Sequence, residues 1–189
     1  MKIIDLICAP GRTGFYFDDQ RAIKAGAGHD GVFYMVTTNV SCGGNFYVSA
    51  IDPAGEWSDP IYVDQAGIDP SLLFDDDGKV NFLSNGNGDM SICEIDIRTG
   101  KKLAPTRSTW RGTGGRYPEA PHLYKIDGMY YMMIAEGGTE YGHMETIARS
   151  ASPYGPWEPS PRNPILTNRN TEADMPIQAT GHADLVQTQ

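Results

Sequence analysis

The sequence predicts an all-β chain built from repeated four-stranded units, the pattern of a β-propeller. Three observations carry this expectation. Apolar residues do not recur at helical spacing over any long window, and 22 Gly with 13 Pro punctuate the chain. Short runs rich in β-branched and aromatic residues are frequent, and three of them follow an Asp-Gly turn. The turn glycines Gly31, Gly78 and Gly128 lie 47 and 50 residues apart, a spacing typical of propeller blades.

The elements follow in order. Residues 1–28 do not fit the repeat, and Ala25-Gly26-Ala27-Gly28 reads as a poor strand, so this segment is set apart from the 29–189 propeller region. Asp30-Gly31 precedes the strand run Val32–Thr38, and Asn45–Ile51 follows it. Asp77-Gly78 precedes Lys79–Leu83, and Asp127-Gly128 precedes Met129–Ile134. Pro53–Pro60 and Pro153–Pro159 echo each other, with Trp57 and Trp157 two repeats apart. Three blades are expected over roughly 29–66, 67–117 and 118–180, and Thr180–Gln187 would open another. Three blades fall short of the usual closed ring of ~4–8. Either the chain is a piece of a larger protein, or self-association covers its open blade edges.

Composition narrows the partners. With 40% hydrophobic and 10% aromatic residues the 189-residue chain is globular. A net charge of −9 speaks against nucleic acid or an anionic membrane and suits a neutral ligand such as a sugar. No apolar run reaches the ~18 residues of a membrane helix. Met1–Cys8 makes a poor signal peptide, which points to the cytoplasm. Cys8, Cys42 and Cys93 form no CxxC pair and are expected as small buried hydrophobes.

The chemistry centres on two acids in matched settings. Asp69 lies nine positions before Gly78, and Glu119 nine before Gly128, so the acids are 50 residues apart. Most carboxylates are surface or turn-capping groups. These two, however, stand at the mouth of the strand that lines a propeller channel, and Pro70, Pro118 and Pro121 restrict the backbone beside them. Aiming carboxyl groups at a shared axis is one way to build a glycosidase site. His182 precedes a third apolar run and falls near the same axis, where an imidazole can orient a carboxylate or touch a hydrated ion. Tyr117, Tyr124, Tyr141 and Trp110 lie near Glu119 and could stack on sugar, although each fits a packed core as well. Asp75-Asp76-Asp77-Gly78 and Asn85–Asp89 lack calcium-loop spacing and read as hairpin turns, Gly112-Thr113-Gly114-Gly115 as a flexible connector. His143-Met144-Glu145 is not a zinc-protease motif, and no metal ligand set is expected.

Gly67–Gly78, Tyr117–Lys125, Ala135–Thr139 and Ala179–Val186 resemble, in order, motifs of family-43 glycoside hydrolases, in the β-xylosidase and α-L-arabinofuranosidase branch. The resemblance implies a five-bladed β-propeller, here incomplete, and an inverting mechanism on xylose- or arabinose-containing oligosaccharides. Glu119 would be the general acid and Asp69 the group that raises its pKa and orients it. Tyr117 and His182 would bind substrate. No cofactor is required, although the family's channel histidine, matched by His182, is sometimes linked to a bound calcium ion. The general base belongs to the family's first blade, in a motif resembling Gly-Phe-Tyr-Pro-Asp-Pro. This chain has Gly14-Phe15-Tyr16-Phe17-Asp18-Asp19, in which Asp18 is a weak counterpart. Ala120 stands where the family usually has Gly. A non-catalytic sugar-binding propeller module is the alternative.

Overall fold

Alternating apolar strands and tight turns fold into thirteen β-strands with no helix among the described residues. The computed structural model describes residues 24–86, 88–172 and 174–185. The first blade has strand order β1 (Lys24–His29), β2 (Val32–Asn39), β3 (Gly44–Ala50) and β4 (Ile61–Tyr62). The second is β5 (Ile68–Phe74), β6 (Val80–Gly86), β7 (Asp89–Ile95) and β8 (Arg107–Ser108). The third is β9 (Glu119–Ile126), β10 (Met129–Glu136), β11 (Met144–Ser150) and β12 (Glu158–Pro159), with β13 (Leu166–Thr167) also on β11. Every pairing is antiparallel between chain neighbours, apart from β13 on β11, so each blade is a meander.

Turn chemistry sets these hairpins. Asp30 and Gly31 have φ of 52° and 78°, Asp127 and Gly128 of 50° and 78°. Both central positions are left-handed, as a two-residue turn that matches strand twist requires. The Asp77-Gly78 turn is longer: Gly78 N–H closes on the Asp75 carbonyl at 3.0 Å.

Blades pack face to face. Tyr47, Val36 and Val63 of the first meet Val80, Phe82, Cys93 and Ile95 of the second. Leu83, Met90, Ile92 and Trp110 of the second meet Leu123, Met132 and Ile134 of the third. The two echoed tryptophans serve alike: Trp57 packs on Met35, Phe46 and Val48, and Trp157 on the cluster between the second and third blades.

Two expectations are corrected. Residues 24–28, read as lying outside the repeat, form most of β1, and Lys24, Ala25 and Gly26 face Val36, Met35 and Tyr34 across the ladder. Pairing to a strong neighbour overrides weak β-propensity. Residues 1–23, with Cys8 and Asp18, lie outside the described residues. Cys93 is buried, but Cys42 is exposed in the β2–β3 turn, where no core reaches it.

Candidate active site

Asp69 and Glu119 stand at the start of the innermost strands of neighbouring blades. Each strand is bulged there. The β5–β6 register shifts between Ile68 and Ser71, and the β9–β10 register shifts opposite Glu119, between Met133 and Ala135. A bulge bends its strand and re-aims a side chain, a device common beside active sites. Asp69 has φ 51°, and in β9 the left-handed residue is Ala120, at 52°. Just upstream, Gly67 has φ 105°, and a Cβ there would run into the Asn85 carbonyl.

The two strands are bolted together. Ser71 Oγ–H donates to the Pro121 carbonyl at 2.5 Å, and Lys125 Nζ donates to Asp75 Oδ1 at 2.5 Å. Each partner pair is fifty residues apart, the same offset that separates the acids, so Asp69 and Glu119 hold equivalent places in adjacent blades. Tyr130 O–H donates to Asp75 Oδ2 at 2.5 Å and completes the second bolt.

Both acids are half-buried. Asp69 Oδ2, Glu119 Oε1 and His182 Nε2 are hidden from solvent, and Asp69 Oδ2 accepts no hydrogen bond from the described residues. A cleft of about 570 Å³ opens on Glu119, walled by Tyr117, Pro118, Gly138 and Thr139 on one side and Asn85 and Gly88 on the other. Tyr117 is 66% exposed, with the Arg116 guanidinium 5.4 Å from its ring centroid, so it offers a face for stacking. Asp69 is not among the wall residues.

The remaining aromatics near Glu119 serve other ends. Trp110 is core. Tyr141 O–H donates to the Thr171 carbonyl at 2.7 Å. Tyr124 donates to Asp184 and accepts the Leu185 N–H at 3.0 Å. Burial, and then the Asp184 carboxylate, push its phenol far above the usual range.

The Gly112–Gly115 stretch is not a loose connector. Glu136, fully buried at the end of β10, accepts N–H bonds from Thr113 and Gly115 at 3.0 and 2.6 Å, and hydroxyl bonds from Thr113 and Thr146 at 3.1 and 2.6 Å. Gly112 and Gly115 leave no room for a Cβ against this carboxylate. The Gly137 N–H then donates to the Arg116 carbonyl at 2.7 Å, which fixes the chain one residue before Tyr117. A carboxyl group at the end of the apolar run Met129–Ala135 was the available sign of this role; its backbone donors lie over twenty residues away in sequence.

His182, half-buried at φ 54°, lies in residues 176–185, which form no strand but lie against the third blade. No group of three or more His, Cys, Asp or Glu side chains suited to an ion occurs among the described residues. For the first blade, the position nine before Gly31 is Ala22, and Lys24–His29 contains no Asp or Glu.

Comparison with known proteins matches residues 26–189 to the family model "Glycosyl hydrolases family 43". A xylosidase/arabinosidase of Butyrivibrio fibrisolvens is 47% identical over 173 residues, covering 84% of this chain and 34% of that protein. A non-reducing end alpha-L-arabinofuranosidase of Bacteroides ovatus is 52% identical over 163 residues, covering 84% and 30%. Among solved structures, the Bacteroides ovatus xyloglucan-locus GH43B superposes with a TM-score of 0.81 at 50% identity over 86% of this chain and 33% of that one. A xylan beta-1,4-xylosidase from Bacillus halodurans gives 0.76 at 38% identity over 85% and 34%. The chain thus spans about a third of the length of the curated relatives it matches. Residues 1–46 also match the model of the methylaspartate ammonia-lyase N-terminus. The Clostridium tetanomorphum enzyme of that name is 71% identical over 38 residues, 20% of this chain and 9% of that protein.

Proposed function

Because the chain belongs to family 43 of the glycosyl hydrolases, we propose that its acid pair serves the hydrolysis of xylosidic or arabinosidic bonds in hemicellulose-derived oligosaccharides. The observation that carries this reading is the cleft on Glu119, with an exposed tyrosine at its rim and a second carboxyl group at the equivalent place in the next blade.

Glu119 is the general acid. Its proton passes to the glycosidic oxygen as the bond from that oxygen to the anomeric carbon breaks. Asp69, bolted beside it through the Ser71 and Asp75 contacts, orients it. Tyr117 stacks on the sugar, and His182 contacts it from the third-blade side. In an inverting reaction, water attacks the opposite face of the anomeric carbon while a base takes its proton, with about 6.5–9.5 Å between the two working carboxyl groups. Lys24–His29 supplies no carboxyl group for that base. A calcium ion by His182 would be held with the help of the imidazole and would fix its position.

The absence of a carboxyl group in that strand favours a second reading, a propeller segment that binds oligosaccharide without turnover. An aryl xyloside turnover assay beside calorimetric titration with xylotriose separates the two. We expect binding, with turnover far below that of a full-length relative, and abolished by Glu119→Gln. Turnover as fast in Glu119→Gln as in the parent chain sinks the acid assignment. Binding with no turnover at all supports the second reading.

A further inference from the structure

Glu145 is buried within β11, at 1% exposure, and belongs neither to the acid pair nor to the walls of the cleft. A carboxyl group so far from water needs donors. One of them is the backbone of Ala183, whose N–H reaches Glu145 Oε2 at 2.9 Å. Ala183 directly follows His182.

The residue on the other flank is held as well. Gly181 lies on the His143 ring so closely that a Cβ would collide with it. His143, itself buried, donates from Nδ1 to the Gly138 carbonyl at 2.5 Å, and Gly138 is a wall of the Glu119 cleft. His143 and Glu145 are two residues apart at the start of β11 and grip the chain before and after His182. The segment has no strand ladder of its own, so these contacts, with Leu185 N–H on the Tyr124 hydroxyl, set where the imidazole stands.

We propose that Glu145 is a positioning residue: it holds the His182 turn against the third blade by accepting the Ala183 N–H, and so fixes where the imidazole stands. The functional weight of this assignment rests on the glycosidase reading, in which His182 meets sugar; the structural part does not.

Amide hydrogen exchange and histidine-ring NMR on the full 189-residue chain test it. In Glu145→Ala, Ala183 should lose protection at least tenfold and the His182 ring signals should move, while β9 and β10 amides stay as they are. Glu145→Gln, whose side-chain carbonyl still accepts, should restore both and move the Ala183 amide proton upfield. Xylotriose should bind about tenfold more weakly to Glu145→Ala and within twofold of the parent to Glu145→Gln. Unchanged Ala183 exchange in Glu145→Ala, or equal affinity for sugar, overturns the proposal. If Glu145→Ala does not fold, an Ala183 proton that stays put in folded Glu145→Gln overturns it. A parent chain that binds no xylotriose removes the glycosidase reading, and the exchange result still decides the role of Glu145.

Discussion

Asp75→Ala should cost about 3 kcal/mol. The carboxyl group is 6% exposed and receives three donors: Lys125 at 2.5 Å, Tyr130 at 2.5 Å and the Asp76 N–H at 2.7 Å. Removing it leaves the Tyr130 hydroxyl unpaired on a residue only 8% exposed, worth about 1–3 kcal/mol. Lys125 retains Asp76 at 3.1 Å and can turn toward water, so its share is about 1 kcal/mol. The Asp76 N–H rehydrates at little cost. In a chain of this size each kcal/mol lowers Tm by roughly 2–4 °C, so calorimetry should find a fall of roughly 6–12 °C. The control is Asp77→Ala, which removes a surface pair with Lys79 and should change Tm by no more than about 2 °C. Equal shifts for the two variants would refute the idea that Asp75 bolts β5 to β9. The pH dependence has a definite sign. Burial raises the Asp75 carboxyl, but the bonds from Lys125, Tyr130 and Asp76 outweigh it and hold the group below the usual carboxylate range. A depressed folded value means that the stabilisation is present above about pH 4 and fades as pH falls through that value. The Tm gap between the parent chain and Asp75→Asn should therefore close in acid.

Other outcomes follow from single contacts. Glu136→Ala strands the Thr113 and Gly115 N–H groups, so Tm should fall by roughly as much as for Asp75→Ala, and proteolysis should begin within Gly112–Arg116. Gly67→Ala forces a Cβ onto the Asn85 carbonyl at φ 105° and should lower Tm by 5 °C or more, roughly 2 kcal/mol; a neutral result would contradict the described turn. Cys42 should take a maleimide within minutes at pH 8, as mapped by peptide mass. Burial pushes the Cys93 thiol up to about 11, and it should react only on unfolding.

The fifty-residue period was legible because it is written in turns and strand mouths, which are local. Ser71 with Pro121 and Asp75 with Lys125 then restate that period as contacts. β1 was not legible: Lys24-Ala25-Gly26-Ala27-Gly28-His29 has no β-branched or large aromatic side chain, and its strand state comes from β2. This stretch also lies within the residues that match the ammonia-lyase N-terminus, and residues 26–46 match both families. The matched placement of Asp69 and Glu119 at the starts of β5 and β9 was readable from spacing. The roles of Glu136 and Glu145 were not, because each carboxylate is defined by backbone donors that a one-dimensional reading cannot bring near it.

The φ of 51° at Asp69 limits which substitutions can be interpreted. Asn enters the left-handed region almost as readily as Asp, whereas a β-branched or longer side chain pays for the backbone before any chemistry is lost. Loss of function in Asp69→Val or Asp69→Glu would thus mix two causes. Asp69→Asn keeps the backbone and removes the charge, so it is the variant whose kinetics report on the carboxylate. For Glu119 the constraint has moved one residue along, to Ala120, and the position of the acid accepts a wider set of replacements without that ambiguity.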